Sequence, residues 1–359
     1  DIAPKTRRAV HELIALLQTM DEKFVEGDQA LHDETSQLEV YRWIFTTLQV
    51  ALDTQVWADG DRPRFVDIVD PYKKWGGDNA DAFYQHTPID PRRTYRITGR
   101  PGDAVYWSFT VYGGPNDGRY SERIVGTVND RDVPVGEDGT VTFTVSPEPF
   151  DGPGIRTEPD AVVGITRDYL DDWKHDTRMT WRIECLDGAS EYVQHDADVA
   201  RRFRNAITWL QEQTAMAPVW PEGVNEVQEP YPVPTETFGW AAGDASYAMG
   251  RFSLTNDEAL VIEGRSPTCA FWNLCLWNSL LHTYNYDYDQ VSINGSQVQY
   301  EDDGSWRIIV SAHDPGLPNW VSTQGHQDGL LWFRWFLPDE TPDRPTTRLV
   351  ALPDLIGER

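Results

Sequence analysis

The strongest constraint on this chain is that it matches itself. Residues 95–150 laid on residues 260–315 at a constant offset of 165, without a gap, give ten identities in fifty-six positions, where random pairing at ordinary composition gives about three or four. The identities come in a recognisable order. Gly99-Arg100 falls on Gly264-Arg265, Trp107 on Trp272, Asn129 on Asn294, Val133 on Val298, Asp138-Gly139 on Asp303-Gly304 and Val145-Ser146 on Val310-Ser311. Alternation is kept as well: Val105, Trp107, Phe109 and Val111 share a face with Ala270, Trp272, Leu274 and Leu276, and a slip of one residue would have inverted every side chain. Beyond the window, Gly164-Ile165-Thr166-Arg167 aligns with Trp332-Phe333-Arg334 after a two-residue gap. The chain therefore reads as two copies of one antiparallel β-sandwich.

Around the copies, helical spacing takes over. Val10, Leu13, Ile14, Leu17 and Met20 predict a first helix, and Tyr41, Ile44, Phe45, Leu48 and Leu52 a second, with Ser36 and Glu39 at capping-box spacing. Val199, Phe203, Ile207 and Leu210 predict a mid-chain helix, followed by five prolines between Pro218 and Pro234 that predict a connecting arm on the surface. Asn294-Gly295 between Val291–Ile293 and Val298–Tyr300 predicts a type I′ hairpin. The expected class is mainly β with added helices. The expected divisions are an N-terminal helical region over 1–75, a first sandwich or jelly roll over 76–190, a helix and proline-rich arm over 191–240, and a second sandwich over 241–359.

Composition excludes more than it assigns. With 58 acidic against 31 basic residues the net charge is −27, which repels phosphate backbones and anionic membranes, so no nucleic-acid partner is expected. No apolar run is long enough for a membrane span, and Asp1 opens no secretory leader, although a cleaved signal would leave no trace. Three cysteines without CxxC spacing read as free thiols, and a cytoplasmic location is expected, with a secreted one as the alternative. Phosphate-loop, dinucleotide, HExxH and GxSxG signatures are absent, as is any His-x-His pair, so no cofactor is expected.

Three segments concentrate polar and aromatic groups. Residues 75–90 carry Asp78, Asn79, Tyr84 and His86; residues 112–123 carry Arg119 and Tyr120; residues 282–289 carry His282, Tyr286 and Asp287. Corresponding loops of the two copies could meet in one cleft. Arg119, Arg167 and Arg334 either grip a substrate carboxylate or phosphate or serve as buried partners for acids.

The segments AFWNLCLWN (270–278), DDGSWRIIVSAHDPGLPNW (302–320) and LLWFRWFLP (330–338) resemble the C-terminal signature of a bacterial family catalogued as domain of unknown function twelve-fourteen. WGGDNADAFYQHTPIDPRRTYRITG (75–99) and RYS (119–121) are similar to segments of the same family. The resemblance runs from Trp75 onward. It implies paired β-sandwich or jelly-roll domains and no settled activity.

The leading expectation is an enzyme using hydrolase-like acid/base chemistry on a small polar or carbohydrate-like substrate. Asp78, His86, His282 and Asp287 are the catalytic candidates, and Asn79, Tyr84, Arg119, Tyr120, Tyr286 and Arg334 the binding candidates. A non-catalytic ligand-binding or assembly module, homo-oligomeric or not, is the alternative. A metal-dependent hydrolase built on His282, His313 and His326 is third.

Overall fold

The computed structural model describes residues 2–356. Three helices precede the sheets: α1 (Pro4–Leu17), the short α2 (Glu22–Val25) and α3 (Glu34–Ala51), the last running into a π turn over Leu52–Val56. The first copy then supplies β1 (Val66–Val69), β2 (Ala82–Pro88), β3 (Tyr95–Arg100), β4 (Tyr106–Gly113), β5 (Arg123–Asn129), β6 (Val141–Ser146), β7 (Gly154–Arg156), β8 (Ala161–Tyr169) and β9 (Thr180–Cys185). After α4 (Asp196–Met216) and two short strands, β10 (Glu226–Val227) and β11 (Tyr231–Pro232), the pattern returns. It runs β12 (Ala245–Ser253), β13 (Glu258–Gly264), β14 (Phe271–Trp277), β15 (Ser292–Asn294), β16 (Trp306–Ser311), β17 (Trp320–Ser322), β18 (Asp328–Phe336) and β19 (Thr346–Ala351), closed by α5 (Leu352–Ile356).

Topology confirms the duplication strand by strand. The first half pairs its strands in the orders β1-β2-β8-β4-β5 and β7-β6-β3-β9, and the second in the orders β10-β12-β18-β14-β15 and β17-β16-β13-β19. Each of β2 to β9 therefore has a counterpart ten labels later, including the parallel pairs β6–β7 and β16–β17. The shared residues turn out to be one turn made twice. Gly139 and Gly304 sit at φ of 78° and 81°, a region open mainly to glycine, and Arg100 Nη1 donates to the Asp138 carbonyl at 2.8 Å as Arg265 Nη1 does to that of Asp303 at 2.5 Å.

The layers are stacked four deep. Trp107, Phe109 and Val111 of β4 enter the core of the first sandwich with Ile97 and Phe143, while Trp272, Leu274 and Leu276 of β14 enter the second with Ile262 and Ile308. The opposite faces of the same strands meet each other: Tyr106 and Tyr169 from the first half pack on Phe271 and Phe336 from the second. Tyr169 and Phe336 are equivalent positions, and their rings lie 4.2 Å apart, as self-complementary packing about a local two-fold requires. Every residue of β4 and β14 is buried for this reason. The polar side of the alternation, Ser108 and Thr110, faces the other half and not solvent.

Several local expectations are corrected. The N-cap of α3 is Asp33, whose carboxylate accepts from Ser36 N at 2.8 Å, so Glu39 is freed for a long-range role. The buried face of α3 is Val40, Trp43, Ile44, Thr47 and Val50; of the expected stripe, Ile44 is buried and Leu48 and Leu52 pack against the core, while Tyr41 and Phe45 are exposed and Trp43, packed on Phe24, takes their place. The first sheet begins at Val66, inside the segment expected to be helical. The Asn294-Gly295 hairpin does not form. The Asn294 Oδ1 accepts from Ser296 N at 3.1 Å and its carbonyl from Val298 N at 3.1 Å, an Asx turn repeated at Asn129, which accepts from Arg131 N and Val133 N. Gly295 is required by packing, since a Cβ there would fall 2.4 Å from Trp272 Nε1. Nor does the proline-rich arm merely skirt the surface: β10 and β11 add to the sheet edge at β12.

Candidate ligand site

Between the two facing sheets lies a cavity of about 470 Å³. Its walls are built from equivalent elements of both copies. From the first come Tyr84 on β2 and Arg167 on β8, paired across the strands; from the second come Tyr247 on β12 and Arg334 on β18, paired in the same way. Trp277 and Trp332, stacked with ring centres 4.6 Å apart, form one wall. The arm closes another with Val233, Phe238 and Trp240.

The two arginines are each 3% exposed. Arg167 donates from Nη2 to Tyr112 Oη at 2.9 Å and to the Trp240 carbonyl, and Tyr112 Oη in turn donates to the Ala241 carbonyl at 2.5 Å. Arg334 donates from Nη2 to the carbonyls of Gly77 and Asp78, at 2.6 and 3.1 Å. In both guanidinium groups Nη1 is buried without a partner. The Tyr84 ring lies 5.5 Å from the Arg167 head and the Trp277 ring 4.9 Å from that of Arg334. Burial pushes the Tyr84 hydroxyl up to about 12, with Arg334 and then Arg167 pulling the other way, so its oxygen feels both charges.

The sequence candidates divide by place. Asp78, Tyr84, Tyr120 and Arg334 line the cavity. His86 and Arg119 lie in a larger groove of about 1390 Å³, separated from the cavity by Trp240, which borders both. His86 is 4% exposed and burial depresses its pKa to about 3, leaving it neutral; Arg119 is held by Asp117 at 2.9 Å. Asn79, His282, Tyr286 and Asp287 belong to neither space.

Most of these residues make structural connections. The Asp78 carboxylate accepts from Thr283 N and Oγ1 at 2.8 and 2.5 Å. Asn79 Oδ1 accepts from Asn273 Nδ2 at 2.7 Å, as does Asp81 Oδ2 at the same distance, and Asn294 Nδ2 donates to Asp81 Oδ1 at 3.2 Å. This clasp fixes the segment before β2 to the second sandwich. Burial raises the Asp81 carboxyl to about 6 against the hydrogen bonds of Asn273 and Asn294. His282 bonds Asn278 and the Thr283 carbonyl, and burial lowers its pKa. Tyr286 lies under the ammonium of Lys74, 3.8 Å from its ring centre. Lys74 is itself buried, donates to Thr283 Oγ1 at 2.7 Å, and has its pKa lowered by burial against Asp78 and Asp287. His326 meets Glu39 of α3, not His282 and His313, and among the described residues no group of three or more His, Cys, Asp or Glu side chains is arranged to hold a metal.

Arg167, weighed from the sequence as a carboxylate or phosphate grip but not placed among the binding candidates, lines the cavity with Tyr247, Trp277 and Trp332, which the sequence reading did not single out. One signal pointed to Arg167: the gapped alignment sets it on Arg334. Two arginines at one repeat position in central strands of facing sheets come together where the copies dock.

Fold and cavity together define a tandem β-sandwich protein with a chamber near its local two-fold. The model of the family described as protein of unknown function (DUF1214) matches residues 80–163 and 250–340, one segment in each copy, in agreement with the resemblance read from the sequence. Among solved structures it resembles an uncharacterized protein from Burkholderia cenocepacia, 27% identical with a TM-score of 0.85, over 98% of this chain and 99% of that one. A protein from Vibrio parahaemolyticus shares the fold at 11% identity and a TM-score of 0.50, over 87% of this chain and 97% of that one. No curated protein matches the sequence. Among the described residues no helix is long and apolar enough to cross a membrane.

Proposed function

We propose that the protein binds a small organic molecule in the cavity between its two sandwiches. The observation that carries this reading is the pocket itself, about 470 Å³, open on one side and lined mainly by rings and aliphatic side chains where the two halves meet. That volume falls within the range of small-molecule sites. Strands from both halves and the arm line the pocket with aromatic side chains and two buried arginines, the mix of apolar wall and a few placed polar groups that small-molecule sites show. The test compares thermal unfolding of the wild type and Met249→Trp across a library of small molecules. Met249 contributes to the wall from β12, and an indole there fills the space. Compounds should raise the Tm of the wild type and leave the filled variant unmoved; stabilisation that persists in the variant, or none at all, overturns the reading.

Acid/base turnover of the bound molecule is a second reading of the same site, supported by Tyr84. Its hydroxyl lies on the cavity wall, stays protonated near neutral pH and feels both arginines, as a general acid beside developing negative charge would. A hydrolase of this kind loses turnover in Tyr84→Phe while keeping its ligand affinity. Equal turnover in variant and wild type removes Tyr84 from the chemistry.

A further inference from the structure

The arginines of the cavity have no carboxylate hydrogen-bonded to them, although Asp81 lies close enough to feel Arg334. Arg167 and Arg334 occupy equivalent central strands, are both 3% exposed, and give their hydrogen bonds only to neutral acceptors: a tyrosine hydroxyl and three backbone carbonyls. Both keep a buried Nη1 without a partner. The carboxylates closest to hand are engaged elsewhere, Asp78 with Thr283 and Asp81 with Asn273 and Asn294. A buried charge without a counter-charge is costly, and two like charges facing one space add their repulsion. The chain tolerates this arrangement at the same place in both copies, so the compensating charge comes from outside it.

The planar guanidinium fork matches a carboxylate, which can accept in parallel from two N–H groups. Much of the remaining wall is aromatic and flat, with Trp277 and Trp332 stacked on one side and Trp240 on another, suited to a ring or an aliphatic chain. We propose that the ligand is a small organic acid, its carboxylate bridging Arg167 and Arg334 and its apolar body lying against the tryptophans. This inference rests on the cavity-binding reading above and gives it a substrate class.

The experiment titrates the full chain with benzoate, 3-phenylpropionate and octanoate, each beside its own amide, and with inorganic phosphate, following heat release and Tm. At least one acid should bind about 30-fold more tightly than its amide, the margin of a charge-assisted pair over a neutral one. Arg167→Lys and Arg334→Lys keep the charge and lose the fork, and each should weaken that acid about ten-fold or more. Arg334→Gln should leave the unliganded protein at least as stable as the wild type, because an unanswered charge is removed. The proposal fails if amides bind as well as acids, if the lysine variants bind the acid unchanged, or if phosphate binds as tightly as the best acid. Neutral compounds that are lost in Met249→Trp yet indifferent to both arginines would overturn the acid and leave the cavity reading standing. No stabilising compound of either kind would overturn both.

Discussion

Gly77 shows how single residues shape the cavity. It sits at φ of +85°, and a Cβ there would lie 2.9 Å from Trp277 Cη2, while its carbonyl holds Arg334. Gly152 has the same φ with nothing within 4 Å. Alanine at either position meets the left-handed strain of roughly 1–2 kcal/mol, but at Gly77 it also displaces an indole and the carbonyl behind it. Gly77→Ala should therefore cost about 1–3 kcal/mol more than Gly152→Ala in urea unfolding, in the range of overpacking a core; equal costs would show that Trp277 yields freely. Neither glycine's burden is legible in the sequence, since Gly76-Gly77 reads as any turn does. Asn294 makes the same point: beside a glycine it signals a hairpin, yet its amide is buried between Asp81 and the Asp171 carbonyl.

Among the elements, α3 was found in the sequence but its attachment was not. Glu39 leaves the helix to meet His326 Nε2 at 2.8 Å and Asn278 Nδ2 at 2.7 Å, with the Tyr284 ring stacked on the imidazole at 3.9 Å. Burial opposes both charges, but their shared hydrogen bond and attraction, helped by His282 for Glu39 and by Asp33 for His326, leave Glu39 below its ordinary pKa and His326 above. The raised histidine contributes stability that is complete below about pH 6.5 and fades as pH rises through its folded value. The depressed glutamate contributes stability that is complete above about pH 4.3 and fades as pH falls through its own. The loss on Glu39→Gln should therefore be larger at pH 5.5 than at pH 8.5 in denaturant unfolding, and a loss independent of pH would show that the ion pair carries none of it. Helix spacing revealed the 3.6-residue period of α3, but not which side faces inward, because Tyr41 and Phe45 are as apolar as the residues the fold chose to bury.

For the molecule as a whole, the two halves share an interface made of their own repeat. Tyr106, Tyr169, Phe271 and Phe336 are buried between the sheets, so the sandwiches should unfold together in one calorimetric transition. Phe336→Ala removes a fully buried ring at a cost of about 3–5 kcal/mol and should separate the transition into two; a single transition in the variant would show that the helical layer and the Asn273–Asp81 clasp suffice to couple the halves. The duplication, the strand alternation, the equivalence of Trp107 with Trp272 and of Arg167 with Arg334, and the placing of helices before and between the copies could all be read without the fold. These follow from local periodicity and from one chain compared with itself. The docking of the copies settled the rest: that the second faces of β4 and β14 are buried between the halves, that the loops rich in aspartate and tyrosine mostly serve as fastenings, and that the two arginines line one cavity. Alternation states that a strand has two faces, but what covers the second depends on how the copies dock, and that is settled by contacts between residues some 165 positions apart.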